Sequence, residues 1–181
     1  MVDKPTIAID SRIAATPDQP GEARPVPTSN HNAEAVARGI ARMFARNDIW
    51  CLAEMPLRNN RRADLMGIDA KGHVIIVEIK VARSDLLGDG KWPDYLDHCD
   101  RFFWGLPPDL DRTPLDGEGY LPDNCGVIVA DGYDAEILRP APLQLLAAAR
   151  RKVEVERLAR AALRRHHGQS DARYAQAVNA K

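Results

Sequence analysis

The spacing of apolar residues along the chain changes several times, and each change marks a new element. Ala33, Val36, Ala37, Ile40, Met43 and Phe44 recur at helical spacing. With Ser29-Asn30 available as an N-cap, they predict a helix from about Asn32 to Arg46. Ile49 to Leu57 reads as a strand ending near Pro56, and Arg58-Asn59-Asn60-Arg61 as a polar turn. Ala63 to Ile68 reads as a second strand, followed by the turn Asp69-Ala70-Lys71-Gly72. His73 to Val81 is the strongest strand. Its run Val74-Ile75-Ile76-Val77 has no polar alternation, so both of its faces are expected to be buried, as in a central strand.

Ser84 to Gly90 is rich in turn residues and reads as a loop. Trp92 to Cys99 reads as a helix, with Pro93 tolerated in its first turn. Arg101 to Leu106 is a short aromatic strand; Phe102 and Trp104 share one face and Phe103 takes the other. Residues 107–124 carry Pro107, Pro108, Pro114 and Pro122 and read as an exposed loop. Gly126 to Ala130 is a buried strand, with Ala135 to Leu138 following across Asp131-Gly132. Pro142 to about His166 reads as a long helix, apolar at Leu145, Leu146, Ala149, Val153, Leu158, Ala161 and Ala162. The order α-β-β-β-α-β-β-α predicts an α/β fold, an α+β mixed sheet with helices packed on it. Residues 1–29, with five prolines, read as a flexible tail, residues 30–167 as the domain and residues 168–181 as a C-terminal tail.

Composition narrows the class. A chain of 181 residues, 45% hydrophobic and 28% charged, is one globular domain with a real core. No apolar run reaches the about 18 residues of a membrane helix, and no secretory signal is visible. Cys51, Cys99 and Cys125 form no CxxC pair, which points to a reducing cytoplasm rather than a disulfide framework or a structural zinc site. His166-His167 has no acid or thiol at ligand spacing and reads as solvated. The net charge is −1, but it is polarised: Asp109 to Glu136 is acidic, whereas Arg139 to His167 holds eight basic residues against two Glu. A polarised chain can present one face to a polyanion despite a near-neutral total.

Three polar residues interrupt the apolar strands where chemistry would need them. Glu78 and Lys80 lie two apart on the third strand and therefore on one face. Asp64 lies on the preceding strand, and an antiparallel hairpin can bring its carboxylate beside that of Glu78. Two facing carboxylates repel unless a cation lies between them. Carboxylate oxygens suit Mg²⁺ or Mn²⁺, and the carbonyl of Ile79 can add a further ligand. Such an ion polarises a phosphate and lowers the pKa of a water, and Lys80 can stabilise the charge that develops. Glu34 on the first helix and Glu54 on the first strand compete for an accessory role, and the sequence leaves both open. Acid-x-Lys triplets are common on solvent faces, so the combination across two strands carries the expectation. Arg58, Arg61, Arg62, Arg83 and Lys91 flank these strands as possible phosphate contacts. Trp92, Tyr95, Phe102, Phe103 and Trp104 read mainly as core rather than as a base-stacking platform. Cys99 between His98 and Asp100 does not make a catalytic set, because adjacent helix positions do not face each other.

Asn60-Arg61-Arg62-Ala63-Asp64-Leu65, Val77-Glu78-Ile79-Lys80 and the block from Lys91 to Phe103 together resemble the MmcB family of bacterial DNA-repair proteins. Gly126 to Gly132 and Ala148-Ala149-Arg150-Arg151-Lys152 resemble its later segments, so the likeness runs from about residue 31 to 165. The Asp…Glu-x-Lys set is that of the wider PD-(D/E)xK nuclease superfamily. The resemblance implies a restriction-endonuclease-like core and a role in repair of damaged DNA within the mutagenic damage response. DNA is then the expected partner, with other DNA-repair or translesion-synthesis proteins beside it and no membrane. Asp64, Glu78 and Lys80 match the superfamily motif and Glu34 its helix acid, so a Mg²⁺- or Mn²⁺-dependent DNA endonuclease is expected. The alternatives are a catalytically weak DNA-binding or recruitment module, and a nuclease for RNA or branched intermediates. The Ala-rich seam of the last helix fits either core or a homodimer contact.

Overall fold

The computed structural model of the chain describes residues 32–171. Helix α1 (Ala33–Arg46) starts at Asn32, whose side-chain oxygen accepts the Ala35 N–H at 2.8 Å. The expected cap, Ser29-Asn30, lies outside the described residues. The strands are β1 (Trp50–Pro56), β2 (Arg62–Ile68), β3 (Val74–Ile79), β4 (Arg101–Leu106), β5 (Cys125–Ala130) and β6 (Ala135–Arg139). They form one six-stranded sheet in the order β1-β2-β3-β4-β5-β6. β1, β2 and β3 are antiparallel neighbours, β3, β4 and β5 run parallel, and β6 returns antiparallel at the far edge. The mixed α+β class is as the residue pattern predicts; the order α-β-β-β-α-β-β-α counts one strand too few, because Arg101–Leu106, Cys125–Ala130 and Ala135–Arg139 are all strands of the sheet. Every residue of β3 is buried, which its unbroken apolar run requires.

Strand alternation splits the core into two layers. Leu65, Ile75, Val77, Ile79 and Phe103 pack under Val36, Ile40 and Phe44 of α1. Met66, Val74, Ile76, Phe102 and Trp104 face the other way, against Leu86, Trp92, Tyr95 and Leu158. Leu158 belongs to helix α3 (Ala148–Ser170). Trp92, Tyr95, Phe102, Trp104 and Tyr120 form a ring cluster with centroids 5.3–6.1 Å apart. This packing makes the aromatic block core, as its strand alternation predicts. α1 passes so close to the β5–β6 turn that any Cβ at position 39 would collide with the Asp131 and Asp134 carbonyls; Gly39 is what permits the approach.

The departures from the sequence pattern have local causes. Residues 84–90 are not all loop: α2 (Arg83–Gly88) forms, seated by the fully buried Leu86. Trp92–His98 is a 3₁₀ helix rather than an α-helix. The last helix begins at Ala148, not at Pro142, because Asp100 holds the preceding segment extended. The Asp100 backbone carbonyl accepts the Gln144 N–H, and its carboxylate accepts the Leu146 N–H, each at 2.8 Å. α3 then runs to Ser170, past the position 167 expected as the end of the domain. Within residues 107–124, two short 3₁₀ turns (Thr113–Asp116 and Glu118–Tyr120) interrupt the loop and bury Leu115.

Candidate functional site

The β2–β3 ladder ends at Leu65↔Val77, so the next positions in its register are Asp64 and Glu78. The strands begin to part there, and the Asp64 side chain fills the gap by accepting the Ile79 N–H at 2.6 Å. In an extended strand the N–H and C=O of one residue point to the same side, so the Ile79 carbonyl shares the Asp64 side. Glu78 and Lys80, on the face opposite α1, are both buried. Lys80 Nζ donates to Glu78 Oε1 at 3.2 Å and to Asp89 Oδ2 at 2.8 Å, with Asp85 Oδ1 at 3.8 Å. Glu78 Oε2 is buried and has no hydrogen-bond partner. An unmatched carboxylate oxygen in that setting is costly, and it has the chemistry to accept a further hydrogen bond or a cation.

Electrostatics reflects the same imbalance. Burial, then the Asp64 charge, pushes the Glu78 carboxyl up to about 7, with Lys80 offsetting part of the effect. Burial also raises Asp64; the Ile79 N–H and Lys80 pull it down, and Glu54 pushes it up again. Burial by itself would lower Lys80, but the hydrogen bond to Asp89 and the charges of Glu78, Asp89 and Asp85 raise it, so the ammonium keeps its proton at neutral pH. Tyr95, whose hydroxyl donates to the Arg62 carbonyl at 3.2 Å, closes the site from the 3₁₀ helix. Its phenol is raised by burial first and by Glu78 second.

Asp64, Glu78, Lys80 and the backbone of Ile79 are therefore brought together. Glu34 is not among them: α1 packs on the opposite layer, and Glu34 is exposed near its start. Glu54 is on the near side. It stands opposite Asp64 in the β1–β2 register, between the pairs Ala53↔Leu65 and Met55↔Ala63. Its backbone takes φ 54°, a left-handed conformation that costs a non-glycine residue strain and concentrates at functional positions. Its carboxylate pairs with Arg62 at 2.5 Å. Arg61 pairs with Asp94 at 2.8 Å, and Arg83 pairs with Asp111. Arg58 and Lys91 are exposed. Asp85, Asp89 and Tyr95 join the site without any sequence signal, because no strand or helix period links positions 85–95 to Lys80.

Among the described residues, no three His, Cys, Asp or Glu side chains already converge as a metal cluster. The donors present nonetheless fit a hard divalent cation: the half-buried Asp64 and buried Glu78 carboxylates on adjacent strands, with Glu78 Oε2 making no hydrogen bond, and the Ile79 peptide carbonyl beside them. The residues flanking this donor set show no Cys or His that would favour a softer metal.

Comparisons place these residues in a wider setting. The family described as DNA repair protein MmcB-like matches residues 22–173, which include every site residue named above. A solved structure, the SPO1766 protein of unknown function from Silicibacter pomeroyi, is 40% identical, with a TM-score of 0.68 over 76% of this chain and 90% of that one. No curated protein matches the chain. Among the described residues, no helix is long and apolar enough to cross a membrane.

Proposed function

The chain belongs to the MmcB-like family of DNA repair proteins, and from that premise we propose that it is a metal-dependent endodeoxyribonuclease. Its core would be restriction-endonuclease-like, of the PD-(D/E)xK type, acting on phosphodiester bonds in damaged or single-stranded DNA. The observation that carries this reading is the half-buried Asp64 facing the buried Glu78, whose Oε2 makes no hydrogen bond, beside a protonated Lys80.

Asp64, Glu78 and the Ile79 carbonyl would hold Mg²⁺ or Mn²⁺. When bound, such an ion polarises the phosphate and lowers the pKa of a water. The remaining work falls to side chains of the chain itself. Hydrolysis forms a bond from water oxygen to phosphorus as the bond to the leaving oxygen breaks, the attacking water gives a proton to solvent and the leaving oxygen takes one up, and negative charge accumulates on the other phosphoryl oxygens. Lys80 Nζ, already charged, donates hydrogen bonds to those oxygens; because it holds its proton, it does not serve as the base. Asp89 keeps the ammonium in place when Glu78 turns to another partner. Glu54, facing Asp64, takes the accessory role that the sequence left open between it and Glu34. Arg58 and Lys91 reach phosphates directly, while Arg61, Arg62 and Arg83 would exchange a carboxylate for a phosphate.

The test is cleavage of labelled single-stranded, duplex, branched and abasic-site DNA with Mg²⁺ or Mn²⁺. Wild type should cut at least one of these, Asp64→Ala should not, and Lys80→Ala should lose about 10²–10³-fold. DNA binding without cutting of any substrate would replace the nuclease with a recruitment module.

A further inference from the structure

Helix α3 carries more charge than its packing needs. Arg151 is committed to Asp100 and Lys152 to Glu156. Arg150, Arg157, Arg160 and Arg164 lie on a different line, Arg150 donating to the Asp97 carbonyl at 3.2 Å and Arg157 standing 3.7 Å from Glu154. At 100° per residue they fall within about 80° of one another, on the flank of the stripe that buries Leu158. From Arg150 to Arg164 the helix rises about 21 Å, the axial span of about six phosphates on one strand of a duplex. Arg150, Arg160 and Arg164 are exposed.

Two depressions lie along that line. A cleft of 570 Å³ is lined by Arg58, Asn59, Asp94, Asp97, His98 and Arg150. Of its two acids, Asp94 is neutralised by Arg61. A smaller groove of 190 Å³ is lined by Met55, Pro56, Arg157, Arg160, Ala161 and Arg164. The helix is pinned to β1 at this point: Arg157 donates to the Pro56 carbonyl at 2.5 Å and Arg165 to the Glu54 carbonyl at 3.2 Å. Glu54 is the residue opposite Asp64. The arginine line therefore runs past the β1–β2 turn on the sheet face that carries Glu78 and Lys80.

We propose that this line, Arg150, Arg157, Arg160 and Arg164 faced by Arg58, is a track for the phosphate backbone of a DNA strand leading to the Asp64–Glu78 pair. The assignment of DNA as the ligand rests on the nuclease reading. The geometry needs only a regularly spaced polyanion, and the track reads no base. It therefore supplies affinity without sequence preference.

Binding is measured by fluorescence anisotropy of labelled single-stranded and duplex DNA, over a range of salt, with chelator present. Full-length wild type is compared with Arg160→Ala/Arg164→Ala, Arg160→Glu/Arg164→Glu and Lys152→Ala. Loss of two phosphate contacts should flatten the log K against log salt plot by about 1.4 for single strands. The charge-reversed pair should weaken binding further, and Lys152→Ala should match wild type. Both arginines are exposed, so unfolding midpoints should stay at the wild-type value. An unchanged slope in the double variants, or an equal loss in Lys152→Ala, would overturn the track. Because binding is read without a cation, a failure to cut DNA would overturn only the nuclease reading.

Discussion

Two buried carboxylate groups lie on the same face of the sheet, at opposite ends of β3, and their surroundings differ completely. At the start of the strand, Asp100 is saturated. It accepts the Val74 N–H at 2.7 Å, the Leu146 N–H at 2.8 Å and a two-pronged contact from Arg151. Burial would raise its pKa, but Arg151 and the two backbone donors outweigh burial and hold it below the usual range. At the end of the strand, Glu78 has one oxygen on Lys80, the other buried without a hydrogen bond in the neighbourhood of the Tyr95 hydroxyl, and Asp64 as a like-charged neighbour. The difference separates a staple from a site. Asp100 joins β3, β4 and the start of α3 and has no valence left over; Glu78 remains incomplete in the folded chain and fits a reagent from outside.

The contrast breaks most sharply at Asp100. Asp100→Ala strands Arg151 and two backbone donors, and should cost about 3–5 kcal/mol in urea unfolding. A loss under about 1 kcal/mol would mean that the staple carries little. Glu78→Gln should go the other way. Folding raises the Glu78 pKa from 4.5 to about 7, so its favourable contribution is full below the ordinary carboxylate range and is lost as pH rises through about 7. At pH above that, the Gln variant should be more stable than wild type by about 1–3 kcal/mol, judged from the free energy of such a shift. For Asp100, whose pKa is lowered, the contribution is instead present above the ordinary carboxylate range and lost as pH falls below it. A smaller effect concerns affinity. Mn²⁺ binding to wild type, followed by calorimetry, should strengthen as pH rises towards 7 and level off beyond it, because the cation competes with the proton on Glu78. A flat profile would place the ion elsewhere. The smallest effect is at Asp89. Asp89→Asn should leave Mn²⁺ affinity within about threefold while lowering the Lys80 pKa, seen by NMR titration of its side chain.

Much of this was legible from residue order alone. The unbroken run Val74–Val77 announced a central strand, and the pairing of Asp64 with Glu78 followed from hairpin register. Phe102 and Trp104 were separable from Phe103 by strand alternation. What could not be read depended on contacts distant in sequence. Asp100 truncates the start of α3 by binding residues 44–46 positions later, and nothing local to Pro142 signals it. Asp89 and Tyr95 reach Lys80 and Glu78 only because Leu86 and Trp92 seat their segment on the core. Glu34 and Glu54 are equivalent as letters; only the layer on which α1 packs separates them.

The most direct test of the contrast is urea unfolding at pH 8 with and without Mn²⁺, for wild type and Glu78→Gln. Wild type should gain stability with Mn²⁺, whereas Glu78→Gln should start higher and gain little. If Glu78→Gln is less stable than wild type without metal, and Mn²⁺ stabilises both equally, then Glu78 is a second staple and the site reading is wrong.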